Sequence, residues 1–132
     1  TLSACGDTTV DFVNFPSMEE MQKAIPTCPL ENNAWRFDGQ IIISLEGSYY
    51  FCTSSDDGSY AYVDGNLVAN NDGLHGDEER CGGVYLYPGP HQVRVDGFNA
   101  GGPGAEKLTY QGPDTSNQKL FPYSVNSAIP PG

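Results

Sequence analysis

Gly47-Ser48-Tyr49-Tyr50-Phe51-Cys52-Thr53-Ser54-Ser55-Asp56-Asp57-Gly58-Ser59-Tyr60-Ala61-Tyr62-Val63-Asp64-Gly65-Asn66-Leu67-Val68 is the stretch that decides the fold. Tyr49, Phe51 and Thr53 alternate with smaller or polar residues, and so do Tyr60 and Tyr62. A period of two puts alternate side chains on opposite faces of a strand. Asp57-Gly58 and Asp64-Gly65 are turn pairs that separate such strands. The same alternation precedes this stretch at Trp35/Phe37 and Ile41/Ile43/Leu45, and follows it at Val84/Leu86 and Val93/Val95. Asp38-Gly39, Glu46-Gly47, Pro88-Gly89 and Asp96-Gly97 are read as further turns. Short alternating strands between regular turns predict an all-β, antiparallel sandwich or barrel.

Two segments depart from this pattern. Val10, Phe12, Val13 and Phe15 form a β-rich opening, after which a short helix is expected. Ser17 can cap it and Glu20 stands three residues later, a capping box. Met18, Met21 and Ile25 fall on one helical face, and Pro26 stops the helix. Residues 116–132 are rich in Pro, Ser and Asn. They are expected to form an extension of the domain at 1–115, docked on its own sandwich or on a neighbouring copy.

The 132 residues suit one domain, whose core rests on eight Tyr, six Phe and one Trp. Seventeen acidic and six basic residues give a net charge of −11. This balance makes nucleic acid and anionic membrane surfaces poor partners and favours cations and neutral ligands. The longest purely aliphatic run is Ile41-Ile42-Ile43, far short of a membrane span, so no membrane insertion is expected. A start at Thr1 is what a processed or excised chain would show. Four cysteines without a Cys-x-x-Cys pair read as two disulfides in an oxidising, extracellular compartment. They allow three connectivities. Cys5–Cys28 with Cys52–Cys81 is the preferred pairing, as a preference and not a deduction.

From Gly47 to Val68 the chain resembles the anthrax protective-antigen-type domain. That family shows a Gly-x-Tyr-x-Phe strand, then Ser-Asp-Asp-Gly, then a strand ending in Val-Asp-Gly. The resemblance continues in order through Asn70-Asn71-Asp72-Gly73-Leu74-His75, then Leu86-Tyr87-Pro88-Gly89-Pro90-His91, and then Tyr110-Gln111-Gly112-Pro113-Asp114. It spans about residues 8 to 115 and implies a jelly-roll-like sandwich. In the family's flocculin-like lectins, two adjacent aspartates joined by a cis peptide hold a calcium ion, with an Asn and backbone carbonyls from a later loop. The matching positions are Asp56, Asp57, Asn99 and the carbonyls of Gly101 and Pro103. The sugar's hydroxyls bind that metal directly. The resemblance therefore implies Ca2+ as the cofactor and glycans as partners. The later loop is Gly-rich and nearly featureless, so sugar specificity is expected from the 70–79 stretch, with Asn71 and His75 as further sugar contacts.

The chemistry agrees with that assignment. Calcium takes six to eight hard oxygen ligands at about 2.3–2.6 Å, and the glycines of Gly97-Phe98-Asn99-Ala100-Gly101-Gly102-Pro103-Gly104 let a loop wrap an ion. Asp-Asp-Gly is also an ordinary turn. Catalysis finds less support. Adjacent aspartates cannot flank a glycosidic bond from opposite sides. There is no nucleophile elbow, and Gly101-Gly102-Pro103-Gly104 lacks the lysine of a phosphate loop. His91 fits a structural strand position, and Asp77-Glu78-Glu79 reads as a solvated loop. A non-enzymatic, calcium-dependent carbohydrate-binding module is the leading expectation. A structural subunit of an extracellular filament or matrix, associating with copies of itself through its termini, is the second. An accessory targeting module of a larger enzyme is the third.

Overall fold

In the computed structural model, which describes residues 5–122, two four-stranded antiparallel sheets face each other. In chain order the elements are β1 (Asn14–Phe15), α1 (Met18–Ala24), β2 (Asn33–Ile43), β3 (Gly47–Asp56), β4 (Ser59–Val63), β5 (Asn66–Asn71), β6 (Glu78–Leu86), β7 (Gly89–Asn99) and β8 (Ala105–Gln111). One sheet has the order β1-β8-β3-β6 and the other β2-β7-β4-β5.

Most of the period-two residues point between the sheets, but Tyr60 and Tyr62 do not. The buried face of β4 is Ser59, Ala61 and Val63, and the two tyrosines lie half-buried on its other face. Ile43, Tyr49, Phe51, Val63, Val95 and Leu108 are buried in one core. Tyr49 keeps its hydroxyl satisfied there by donating to Leu45 O at 2.5 Å. Phe15, Met18 and Met21 form a second cluster with Trp35 and Phe37, where α1 closes one end. Ser17 caps α1 as expected, its hydroxyl accepting from Glu20 N at 3.3 Å. The two sheets meet along β5 and β6. A Cβ on Gly82 would overlap Val68 O, so only glycine permits that approach. Both disulfides form with the preferred pairing, Cys5–Cys28 and Cys52–Cys81, and the second joins directly opposed residues of β3 and β6.

Several expectations are corrected. Asp38-Gly39 is no turn: β2 runs straight through it, with Asp38 opposite Arg94 and the two side chains paired at 2.9 Å. Asp96-Gly97 is likewise inside β7. Gly97 lacks a side chain because Trp35 and Glu106 occupy the space a Cβ would need. Leu45 leaves the alternating pattern and lies exposed between β2 and β3. In the opening segment only Asn14–Phe15 pairs as a strand. Glu78 and Glu79 belong to β6, paired with Arg80 at 2.7 Å and Lys119 at 2.9 Å. The extension folds back on its own sandwich as far as Pro122. Leu120 and Tyr110 exchange two backbone hydrogen bonds of 2.9 and 2.8 Å, and Phe121 meets Phe12 edge-on. The rest of the expected docking, residues 123–132, lies outside the described residues. No helix among the described residues is long and apolar enough to cross a membrane.

Candidate metal and carbohydrate site

β3 ends at Asp56, β4 begins at Ser59, and the turn between them carries the paired carboxylates. The Asp56–Asp57 peptide bond is cis, as the resemblance implies. The turn is fastened to the end of β7: Asp57 N donates to Phe98 O at 2.9 Å, and Phe98 N donates to Gly58 O at 3.0 Å. Gly58 is a close-packing glycine, since a Cβ there would lie 2.7 Å from the Phe98 ring and 2.9 Å from Gly73 N. Asp57 is buried and its Oδ2 accepts from Ala100 N at 2.8 Å. Asp56 is half-buried. Its carboxyl is raised above the ordinary value by loss of solvent, then by the charge of Asp57 and by a hydrogen bond to it. Two carboxylates held this close repel each other, and a cation between them would remove that cost.

Asn99, the last residue of β7, directly precedes Ala100, whose N–H donates to the Asp57 carboxylate. The Asn99 Nδ2 is committed to Leu30 O at 3.0 Å and Gly102 O at 3.4 Å. Its Oδ1 is buried without a hydrogen-bond partner. A buried carbonyl oxygen left unpaired costs about 1–3 kcal/mol, and a calcium ion is a ligand that would relieve it. The donor set is hard oxygen only, two carboxylates and an amide, so the residues present fit calcium. Gly101 lies in the same loop. The Pro103 carbonyl already accepts from Met18 N at 2.8 Å, which ties the loop to α1 and leaves its second lone pair. Gly104, at φ 68, is required for that tie, since a Cβ would overlap Met18 and sit 3.0 Å from Asn99 Nδ2.

Of the two further sugar contacts expected, Asn71 is placed differently. Asn71 is fully buried at 0% exposure, and its Nδ2 joins Thr53 O at 3.1 Å to Glu78 O at 2.7 Å. It staples β3 to β6 from inside and cannot reach a sugar. His75 is half-buried, with Nε2 3.0 Å from Asn71 O and Nδ1 2.8 Å from Gly76 O. Two carbonyls facing both ring nitrogens suit the imidazolium, which donates twice. Its pKa is raised, first by the Asn71 carbonyl. His75 therefore holds the loop beside Asp56 in shape.

Sequence reasoning missed a third wall. Leu30 O fixes Asn99, and Asn32 N donates to Ala100 O at 3.3 Å. Asn32 is left-handed, at φ 53. The Asn32-Asn33 pair was the available turn signal. Cys52, Glu79 and Cys81 also converge, but both sulfurs are in the disulfide and offer no thiolate.

A family model for the PA14 domain matches residues 11–120. The chain belongs to the PA14 domain family. No curated protein sequence matches it significantly. Among solved structures, this PA14 domain is similar to the PA14 sugar-binding domain from an RTX adhesin, at TM-score 0.70 and 18% identity over 86% of this chain and 75% of that one. It is similar to the PA14 domain of the MpAFP antifreeze protein, at TM-score 0.70 and 14% identity over 86% and 72%. It is also similar to part of a β-glucosidase from Kluyveromyces marxianus in complex with glucose, at TM-score 0.64 and 17% identity over 80% of this chain and 14% of that one. At these identities the likeness is one of fold.

Proposed function

We propose that this PA14 domain is an extracellular, calcium-dependent carbohydrate-binding and adhesion module. The observation that carries the proposal is the buried, unpartnered Oδ1 of Asn99, whose chain neighbour Ala100 donates to the Asp57 carboxylate. Asp56, Asp57 and Asn99, with the carbonyls of Gly101 and Pro103, would hold the ion. Calcium bound there would accept sugar hydroxyls in its remaining coordination positions. The chain's own part is positional. The Phe98 and Ala100 backbone aims Asp57, Leu30 and Gly102 aim Asn99, and His75 shapes the rim. The two disulfides suit an oxidising compartment. One structural neighbour is a sugar-binding domain of an RTX adhesin, in keeping with this reading.

Titrating calcium into the chelated protein by calorimetry tests it. Saturable binding that Asp56→Asn with Asp57→Asn abolishes is expected, with glycan-array signals present in calcium and lost in chelator. An absence of calcium binding would remove the proposal. Calcium binding without any glycan signal would reduce the site to a loop clamp.

A further inference from the structure

At the other end of the sandwich, three tyrosine rings lie open to solvent, Tyr50 on β3, Tyr85 on β6 and Tyr87 just past the end of β6. Tyr50 and Tyr85 are each 53% exposed and Tyr87 is 62% exposed. Tyr50 stands opposite Gly83, two residues from Tyr85 on the same face, so Tyr50 and Tyr85 are diagonal neighbours about 7–8 Å apart. Tyr85 and Tyr87 meet edge-to-face at 5.4 Å.

The rings are held in place. A Cβ on Gly83 would come within 3.1 Å of Tyr50 Cε1, so this ring rests on bare glycine backbone and shows its other face outward. The Tyr85 hydroxyl donates to Glu46 at 2.6 Å. Exposed aromatic surface is costly in water, and a contiguous patch of it marks a place where something binds. At about 3.3 Å per residue along β3, the patch is roughly 20–26 Å from Asp56.

We propose that Tyr50, Tyr85 and Tyr87 form a second, metal-independent site for a neutral oligosaccharide chain. Size argues against a protein partner. With about 200 Å² per aromatic side chain, these exposures leave roughly 340 Å² of open ring surface, under half of the ≈ 800 Å² that each partner buries in a standard protein interface. That area suits two or three pyranose rings. Composition argues for a sugar. The C–H face of a pyranose packs on a ring, and its hydroxyls need polar groups at the edge. Glu46 is fixed there as an acceptor, Ser48 stands opposite Tyr85, and Gln111 stands opposite Tyr50. With Glu46 in the patch and a net charge of −11, an anionic ligand is disfavoured. Because Tyr50 is seated on Gly83 and Tyr85 is tied to Glu46, binding freezes few of their side-chain torsions. With the calcium site at the opposite end, the module would be bivalent and could bridge two glycan chains.

The test uses the 15N-labelled chain in excess chelator, so it stands or falls apart from the calcium reading. Cellohexaose, laminarihexaose and mannohexaose are titrated separately to 10 mM (about the range for a shallow stacking site). The expected result is that at least one of them shifts the amides of Ser48, Tyr50, Gly83, Tyr85 and Gln111 and leaves those of Asp57 to Gly58 and Asn99 to Gly104 unmoved. Tyr85→Ser should abolish the shifts, and Tyr85→Phe, which keeps the ring, should restore most of them. Both variants should keep the remaining amide pattern, since Tyr85 is exposed. The proposal is overturned by no shift with any of the three, by shifts centred elsewhere, or by binding that survives Tyr85→Ser. Shifts that follow protein concentration without saccharide would likewise overturn it, as self-association.

Discussion

Gly97→Ala is the most informative single substitution in the core. Gly97 sits inside β7, opposite Trp35 on β2 and Ser59 on β4. A Cβ there would overlap Glu106 Oε1 and Trp35 Nε1 and lie 2.7 Å from Trp35 Cε2. The methyl would force apart the hydrogen bond from Trp35 Nε1 to Glu106 Oε1, which measures 3.0 Å. Overpacking costs about 1–3 kcal/mol. Leaving a buried acceptor unpaired adds about 1–3 kcal/mol. A combined loss of roughly 2–6 kcal/mol, at a typical urea slope, lowers the unfolding midpoint by about 1–4 M. Trp35 is the only tryptophan, so its fluorescence reports both the equilibrium and the local environment. A red-shifted native emission should accompany the lower midpoint. A midpoint within 0.3 M of the parent, about 0.5 kcal/mol, with unchanged emission would refute the claim that this strand position is reserved for glycine by the Trp35–Glu106 pair.

Other outcomes follow from the same structure. Burial holds the Glu106 carboxyl well above its ordinary value of 4.5, against the opposing hydrogen bonds from Trp35, Ser59 and the Lys107 backbone. Folding therefore takes up a proton there. This contribution to stability is complete below the ordinary value and is lost as pH rises toward the folded one. Glu106→Gln should flatten the stability decline above that value, which urea melts from pH 4 to 8 would show. A parallel curve would contradict it. His91 is raised by Asp64, 2.6 Å from its Nδ1, and by the Tyr87 carbonyl, which together outweigh its desolvation. Its contribution is present below pH 6.5 and fades as pH rises through the folded value. NMR titration should find His91 above a free histidine in the parent and closer to it in Asp64→Asn. Replacing Cys52 and Cys81 by Ala opens a loop of sequence separation 29. It should cost about 2–4 kcal/mol, readable as a lowered melting temperature. Tyr49→Phe removes the donor to Leu45 O and should cost about 0.5–2 kcal/mol without changing the calcium isotherm.

The fold class was legible because a sandwich strand has a period of two that needs no knowledge of its neighbours. Tyr49/Phe51 and Val93/Val95 announce their inward face locally. So does the helix cap at Ser17, whose donor lies three residues away. The candidate site at Asp56, Asp57 and Asn99 came from short motifs matched in order, and the structure ties Asp57 to the segment that follows Asn99. Dipeptide turn signals failed where tertiary contact overrode them. Asp38-Gly39 and Asp96-Gly97 look like Asp57-Gly58 in isolation, yet two of the three are mid-strand. The reason is a side chain 71 residues from Trp35 in one case and a cross-strand ion pair in the other. The burial of Asn71 and the wall at Leu30 also depend on partners distant in the chain.

What the sequence determined by itself was which residues alternate, which cap, and which carboxylates stand side by side. Each of these is set by torsions and spacings within a few residues. Only the tertiary structure decided that the side-chain oxygen of Asn99 is left unpaired, that Glu106 is buried against Trp35, and that three tyrosines lie open at one end of the sandwich. Those facts depend on how distant strands exclude water from one another, and water exclusion exists only once both sheets are in place.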